Sequence, residues 1–180
     1  MRSKSVFRLV LEPLAVAVVL ALLVRAAIGV YAIPSESMAP TLKVGDHIIV
    51  TPYLFGKQPS RGDVVVFRSP LKPDELVVKR VIATPGDLID SRLGRVRIGG
   101  YTLAEPYLLR ASASGEIGAQ LVPSNCYFVM GDNRAASYDS RNWGPLPANY
   151  IVGRARLILW SSSTGEDVAH ASTRPLVPIE

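Results

Sequence analysis

The chain has two segments that differ in how their hydrophobic residues are arranged. Residues Leu14–Val24 form an apolar run without a polar side chain, and further apolar residues extend it to Leu9 on one side and Ile33 on the other. As a helix rising about 1.5 Å per residue, the stretch would cover roughly 37 Å, which is enough to cross a bilayer. The pattern therefore predicts a transmembrane anchor helix over residues 9–33, preceded by a short N-terminal segment, residues 1–8.

After Ile33 the pattern changes to short runs of Val, Ile and aromatic residues separated by Gly and Pro, which is typical of β-strands joined by tight turns. Six runs predict strands: His47–Val50, Asp63–Arg68, Leu76–Ile82, Arg95–Ile98, Cys126–Met130 and Ile151–Trp160. We expect a mainly β fold over residues 34–160, with a coiled antiparallel or barrel-like sheet. An exposed loop is expected at Tyr107–Gln120 and a loose C-terminal tail at residues 161–180.

The distribution of charge adds a prediction of membrane orientation, which depends mainly on the N-terminal residues. The chain carries a net charge of +5, and most of it lies in the first 25 residues, where Arg2, Lys4, Arg8 and Arg25 oppose only Glu12. Basic residues before the apolar run predict a cytoplasmic N-terminus, with residues 34–160 on the extracytoplasmic side. The rest of the chain is nearly balanced in charge, so a nucleic-acid partner is not expected.

A cleaved signal peptide is the alternative reading of the N-terminal run. Val30-Tyr31-Ala32 resembles the small-x-small pattern of a cleavage site. Retention as an anchor is the preferred interpretation, because chemically suggestive residues follow directly after Ile33.

Cysteine and histidine usage narrows the possible chemistry. Cys126 is the single cysteine, which excludes an internal disulfide framework. The two histidines, His47 and His170, are far apart in the sequence, so no metal site and no cofactor is predicted.

The first candidate site is a serine-containing loop just after the apolar run. Ser35 and Ser37 lie between Pro34 and Pro40, and proline restricts its own backbone and that of the preceding residue. A stiffened loop suits a nucleophile that must face a substrate carbonyl. A solvated turn is the ordinary alternative, but the neighbouring apolar residues Met38 and Leu42 are unusual in such turns.

A serine nucleophile needs a base, and Lys79 is the candidate. It lies in Leu76–Ile82, where strand alternation puts Val77, Lys79 and Val81 on one face and Arg80 on the other. A lysine among apolar neighbours can lose its proton near neutral pH, because burial disfavours the ammonium form. A lysine that blocks a strand edge is the alternative reading. His47 and His170 are expected to be incidental surface residues.

The third candidate is a polar loop after Met130. Residues Gly131–Gly144 contain several Asp, Arg, Ser and Asn side chains, which is the composition of a loop ordered by its own ion pairs. A solvated turn is again the alternative.

Together these stretches resemble the type I signal peptidases, membrane-bound serine endopeptidases that remove signal peptides from exported proteins. The resemblance rests on residues 34–42, on Gly45–Val50, on Arg61–Phe67 with Val78–Arg80 and Pro85–Asp87, and on Gly131–Gly144. The four blocks occur in the family's order. The segment between the lysine block and the last block is short, which is similar to compact, single-anchor members.

The resemblance implies a role for each matching residue. Ser37 would be the nucleophile and Lys79 the general base, with Ser35 and the Ser37 N–H forming the oxyanion hole. Ser137 would hydrogen-bond Lys79. The ion pairs Asp139–Arg141 and Asp132–Arg80 would hold the polar loop against the lysine strand. Shallow pockets for small substrate side chains would be lined by Ile33, Pro34, Met38, Leu42, Ile48, Val66, Val77 and Val78.

The resemblance also implies the setting. The expected substrates are preproteins bearing a signal peptide that ends in a small-x-small motif, and the expected location is the bacterial plasma membrane. A monomer is expected. Two other interpretations stay open, which are a specialised Ser/Lys maturation peptidase of the pilus or mitochondrial inner-membrane type, and a non-enzymatic anchored β domain.

Overall fold

The computed structural model describes residues 3–108, 115–161 and 177–179, and within the first helix it describes the side chains of residues 8–20. The helices are α1 (Ser3–Ala27) and α2 (Ser140–Trp143). The strands are β1 (Gly29–Ala32), β2 (Asp46–Thr51), β3 (Val64–Arg68), β4 (Leu76–Ala83), β5 (Leu88–Arg92), β6 (Arg95–Ile98), β7 (Tyr101–Thr102), β8 (Gln120–Leu121), β9 (Cys126–Met130), β10 (Leu146–Pro147), β11 (Ile151–Ser161) and β12 (Val177–Pro178).

A large curled antiparallel sheet forms the body of the protein. Its strand order is β1-β2-β11-β3-β4-β9-β10, and β12 pairs with β11. A second sheet with the order β7-β6-β5-β8 lies between β4 and β9 in the sequence. The mainly β, antiparallel prediction is confirmed, and each of the six predicted strands is present, because alternating β-branched residues bounded by turns encode strands locally.

Both faces of the large sheet are covered by apolar clusters. On the inner face, Val64 and Val66 of β3 pack with Ile33, Met38 and Ile48. On the outer face, Val65 and Phe67 pack with residues including Val81, Tyr127 and Leu146. A third cluster connects the end of β4 with the second sheet. Burial on both faces explains why Val64–Phe67 is a continuous apolar run rather than an alternating one.

The predicted helix over residues 9–33 was wrong at both ends. The helix spans Ser3–Ala27, and Gly29–Ala32 form β1, which pairs with β2 from Gly29↔Val50 to Ala32↔His47. Periodicity cannot separate a helix from a strand in an apolar segment this short, and pairing with β2 decides it. Val30-Tyr31-Ala32 is thus part of the sheet, which counts against its interpretation as a cleavage site.

Within the residues that the structure describes, none of the helices combines the length and apolar character needed to cross a membrane. The described part of α1 nevertheless exposes several large apolar side chains, among them Leu9 at 76% and Val16 at 58%.

Two loop predictions also need correction. The tail is not loose at its described end, because Val177–Pro178 pair with β11 and Ile179 is buried in the inner-face cluster. Ile117, in the predicted exposed loop, is buried against the second sheet, where its N–H donates to Ser91 Oγ. Residues 109–114 of that loop and residues 162–176 lie outside the described chain.

Candidate active site

Ser37 and Lys79, which are distant in sequence, meet in the fold. Lys79 Nζ lies 2.6 Å from Ser37 Oγ, and the two side chains are buried. Lys79 comes from β4, where it pairs with Val65 of β3. Ser37 comes from a 3₁₀ turn, Glu36–Met38, that directly follows the first strand. The sheet therefore brings the serine and lysine blocks into hydrogen-bonding distance.

The serine loop is fixed from both sides. The Ile33 N–H donates to the Asp46 carbonyl, and the Gly45 N–H donates to the Ile33 carbonyl, which extends the β1–β2 pairing up to the loop. The Ser37 carbonyl accepts from the Asn133 N–H at 3.0 Å. Ser35 Oγ lies 3.2 Å from Ser37 Oγ, and its side chain is exposed. A serine held in this way keeps its orientation without a bound substrate.

Burial lowers the pKa of Lys79 to about 8. Loss of solvation is the largest effect, and the charges of Asp139 and Arg141 act on it in opposite directions. A buried ammonium without a close carboxylate partner is costly, so the neutral amine becomes accessible at mildly alkaline pH. Such a group can accept the proton of a neighbouring hydroxyl.

The polar loop after β9 is organised around Asp139. Its carboxylate accepts hydrogen bonds from Ser137 Oγ at 2.7 Å, from the Gly131 N–H at 2.9 Å and from Arg141 Nε at 2.8 Å. Asp139 also caps the first turn of α2, in a capping box with Asn142. Although burial opposes ionisation, the bonds from Arg141, Ser137 and Gly131 keep the pKa of Asp139 below its usual value. The side chain of Asp139 is therefore a carboxylate that holds the polar loop together through its hydrogen bonds and its ion pair.

Ser137 differs from its predicted contact. Its hydroxyl donates to Asp139. Ser137 and Lys79 both lie in the described part of the chain, and no hydrogen bond joins them there. Ser137 is nevertheless close to the pair. A Cβ on Gly131, which lies at the end of β9, would collide with both the Ser37 carbonyl and the Ser137 side chain. Gly131 is required at this position because only a residue without a side chain leaves room for the approach of the two serines.

A second buried ion pair supports the lysine strand. Arg80 donates two hydrogen bonds to Asp132, from Nε at 2.9 Å and from Nη2 at 2.8 Å, and both side chains are almost inaccessible. Arg80 Nη1 also donates to the Gly62 carbonyl, and Thr41 Oγ1 donates to Asp132 at 2.5 Å. Strand β4, the polar loop and the end of the serine loop are joined through this pair.

The sequence did not identify two residues that complete this network, Glu105 and Tyr107. The Arg80 guanidinium lies 4.0 Å from the centre of the Tyr107 ring, and Tyr107 Oη donates to Glu105. Glu105 pairs with Arg134, whose Nε donates to the Gly131 carbonyl. The sequence signal was an acidic and an aromatic residue on either side of Pro106, at the start of the predicted loop Tyr107–Gln120.

The predicted pocket residues separate into three groups. Leu42, Ile48 and Val66 have no exposed surface, and Met38 and Ile33 are 1% and 4% exposed, so these five residues form the core beneath the site. Pro34 is exposed, and Val78 is half-buried against the inner-face cluster. Val77 packs against the outer-face cluster instead. A single pocket cannot contain both valines, because neighbouring strand residues point to opposite faces.

His47 does not join the site. The His47 ring stacks on Trp160 with the ring centres 4.4 Å apart, and its Nδ1 lies 3.1 Å from the Gly45 carbonyl. His170 lies outside the described residues. In the described part of the chain, no three His, Cys, Asp or Glu side chains cluster in a way that could hold a metal ion.

The chain is similar to a known protein family and to several named relatives. The family described as "Signal peptidase, peptidase S26" matches residues 7–160. A protein of Leptolyngbya laminosa named "Signal peptidase I" is 39% identical over 159 residues, covering 83% of this chain and 78% of that protein. A protein of Arabidopsis thaliana named "Probable thylakoidal processing peptidase 2, chloroplastic" is 37% identical over 164 residues. The alignment covers 86% of this chain, which spans less than half of that relative's length, 44%.

A crystal structure of a signal peptidase I from Enterococcus faecalis V583 is similar to 54% of this chain and 97% of that chain, with a TM-score of 0.47 and 32% identity. The match to the family over residues 7–160 shows that the chain belongs to the S26 signal peptidases.

Proposed function

We propose that the chain is a serine endopeptidase that removes signal peptides from exported preproteins, with Ser37 as nucleophile and Lys79 as general base. The contact of 2.6 Å between Lys79 Nζ and Ser37 Oγ is the observation that carries the proposal. The lowered pKa of Lys79, about 8, supports it because a base must be neutral to accept the hydroxyl proton. The names of relatives such as the Leptolyngbya protein support the substrate class.

The reaction follows from these two groups. Ser37 Oγ attacks the carbonyl carbon of the scissile peptide bond while neutral Lys79 takes the hydroxyl proton. The tetrahedral intermediate collapses, the C–N bond breaks, and Lys79 returns the proton to the leaving amine. A water molecule then attacks the acyl-enzyme ester while Lys79 accepts its proton. The bond between the carbonyl carbon and Ser37 Oγ breaks, Lys79 returns the proton to Ser37 Oγ, and the second product leaves with a new carboxyl group.

Ser35 is proposed to help stabilise the developing oxyanion. Its hydroxyl is close to Ser37 Oγ, on an extended residue just before the 3₁₀ turn, and the Ser37 N–H would be the second donor. Two donors that point to the site of developing charge are the usual arrangement for acyl transfer. Ser137, Asp139, Arg141, Asp132 and Arg80 are proposed as positioning residues.

Selectivity for small side chains is proposed to arise at the inner face. Pro34 and Val78 offer the accessible apolar surface there, and Ile33, Met38 and Leu42 fill the space behind it. A filled core leaves little depth for a substrate side chain, so Ala, Gly or Ser is expected at the position before the cut.

Attachment to a lipid bilayer through α1 is proposed as the setting. The apolar run Leu14–Val24 and the exposed apolar side chains of the described helix support it, because such a surface is unfavourable in water. We place the catalytic sheet on the extracytoplasmic side of a bacterial plasma membrane. A thylakoid membrane is the second candidate setting, favoured by the name of the Arabidopsis relative.

The test is cleavage of a model preprotein with Ala at the −1 and −3 positions, in detergent, by the full chain. Ser37→Ala is expected to lower the rate by at least about a thousandfold. Ser124→Ala, which removes an exposed hydroxyl from the turn before β9, is the matched control and should cleave normally. Cleavage that persists in Ser37→Ala would exclude Ser37 as the nucleophile. Absence of cleavage by the unmodified chain would favour the non-enzymatic alternative.

A further inference from the structure

A cavity of about 280 Å³ opens on the outer face of the large sheet. Phe67, which is fully buried, forms its floor together with the half-buried Val77 and Trp143. Its rim carries Leu71 and Tyr138, which are 58% and 61% exposed. We call these five residues the apolar groove. Apolar side chains exposed around an open cavity form the kind of surface at which ligands or partners bind.

Two chain connections place the apolar groove next to the catalytic pair. Val77 and Lys79 are two residues apart on β4, so they share a face of the sheet and their backbones are about 7 Å apart. Tyr138 directly follows Ser137, which lies against Gly131 and the Ser37 carbonyl. The groove therefore begins one or two residues from the site of cleavage.

The groove and the proposed selectivity surface lie on opposite sides of β4. Val78 packs against the inner-face cluster with Ile33 and Met38, whereas Val77 packs against the outer-face cluster with Phe67. Ser37 lies beside Met38 of the inner-face cluster, Lys79 shares the outer face with Val77, and their side chains meet. A substrate that occupies the inner face before its scissile bond is thus directed towards the outer face after it.

The size and charge of the groove restrict its occupant. Its volume lies just below the range of about 300–1,000 Å³ that holds drug-sized ligands, so a large side chain fits better than a cofactor. The nearby charges, Lys72 and Glu75, pair with each other at 2.8 Å and leave no net charge at the rim. The rings of Phe67 and Trp143 pack at an angle of 56°, with their centres 6.1 Å apart, which helps to fix the shape of the floor.

We infer that the apolar groove binds an apolar side chain of the substrate two or three residues after the scissile bond. An extended chain advances about 3.4 Å per residue, so the second or third residue reaches the distance of Val77 from Lys79. The inference rests on the proposed function, because it takes Ser37 as the point of cleavage. According to this inference, residues after the scissile bond contribute to selectivity, in addition to the residues before it.

The experiment uses the full chain in detergent and a set of peptides that differ only at the +2 and +3 positions, with Ala, Leu, Phe or Asp there. The unmodified chain is expected to cleave the Leu or Phe peptides with a kcat/KM at least about fivefold above that of the Asp peptides. Tyr138→Ala should reduce this ratio to about twofold or less. Tyr101→Ala, which removes a tyrosine that is 83% exposed on β7, is the matched control and should keep the ratio.

A second variant tests the groove by a gain of selectivity. Leu71→Asp places a negative charge on the exposed rim, so peptides with Lys at +2 or +3 should gain at least about fivefold over those with Leu. Equal rates across the peptide set in the unmodified chain would overturn the inference, as would a ratio unchanged by Tyr138→Ala and Leu71→Asp. Failure of the proposed function is distinguishable, since cleavage would then be absent from all peptides or would persist in Ser37→Ala.

Discussion

Lys79 shows how a single residue links stability to proposed chemistry. Its pKa is lowered to about 8 because burial disfavours the ammonium form. In the unfolded chain the amine ionises near 10.5, so between about pH 8 and 10.5 the unfolded chain binds more protons than the folded one. The contribution of Lys79 makes the folded state more stable as pH rises through that window, and below it the buried charge costs about 3 kcal/mol.

The rate of cleavage should follow the ionisation of Lys79. Below pH 8 the kcat/KM for a soluble peptide is expected to rise about tenfold per pH unit, and above it to level off, because only the neutral amine accepts the Ser37 proton. Lys79→Arg should be inactive across the range, since a guanidinium remains protonated. Peptide hydrolysis by the unmodified chain and by Lys79→Arg, measured from pH 6 to 10, tests both expectations. Activity in Lys79→Arg, or an acidic limb near pH 6.5, would point to a different base.

Replacing Lys79 by an uncharged residue should increase the stability of the fold and abolish cleavage. Lys79→Met fills a similar volume without a charge, so at pH 7 we expect the free energy of unfolding to increase by up to about 3 kcal/mol while cleavage is lost. The stabilisation should shrink as pH approaches 10.5. Urea unfolding at pH 7 and pH 10 checks this, and a variant that is less stable at both values would contradict the cost assigned to the buried ammonium.

At the scale of elements, the segment between β7 and β8 anchors the polar loop after β9. Glu105 and Tyr107 contact Arg134 and Arg80, the two buried arginines that hold Gly131 and Asp132. These arginines come from the loop after β9 and from β4. Tyr107, at the start of the predicted exposed loop, and Glu105, just before it, thus cover two buried charges of the candidate site.

Loss of Glu105 should therefore destabilise the fold. The Arg134 side chain is inaccessible and that of Glu105 is 8% exposed, so Glu105→Ala leaves a buried cation without its carboxylate. We expect a loss of about 3 kcal/mol in the free energy of unfolding, measured with urea. Glu75→Ala is the matched control, because its pair with Lys72 is exposed and should be worth under about 1 kcal/mol. If both variants lost the same small amount of unfolding free energy, Glu105 would not be an anchor of this loop.

At the scale of the whole molecule, β1 connects the helix to the catalytic sheet. Gly29–Ala32 pair with β2, and Ile33 and Ser37 follow directly. Since the strand belongs to the sheet, the point at which the helix is removed decides what remains. A chain that starts at Ile28 keeps β1, whereas one that starts at Ile33 loses it.

The two truncations should behave differently. The full chain is expected to bind phospholipid vesicles, and the chain from Ile28 is expected to lose that binding while it retains the fold and peptide cleavage. The chain from Ile33 exposes the edge of β2, so it should be less stable and prone to aggregation. Vesicle flotation, urea unfolding and peptide hydrolysis measure the three properties. Equal vesicle binding by the full chain and the chain from Ile28 would argue against attachment through α1.

The sequence by itself determined the local features of this protein. Alternating Val and Ile residues between Gly and Pro turns predicted the six main strands, because strand formation depends on side chains a few residues apart. The serine, lysine and polar-loop blocks could be found for the same reason, since each is a short motif. The family resemblance rested on those motifs and is confirmed by the match over residues 7–160.

Only the tertiary structure decided which distant residues meet. Pairing with β2 made Gly29–Ala32 a strand, although their apolar sequence also suited a helix. Strand alternation separates Val77 from Val78, but the apolar cluster that each one meets depends on what packs against each side of β4. The contacts of Glu105 and Tyr107 with buried arginines join segments separated by tens of residues. Such contacts depend on the whole chain, because burial and charge pairing are set by residues that the local sequence does not contain.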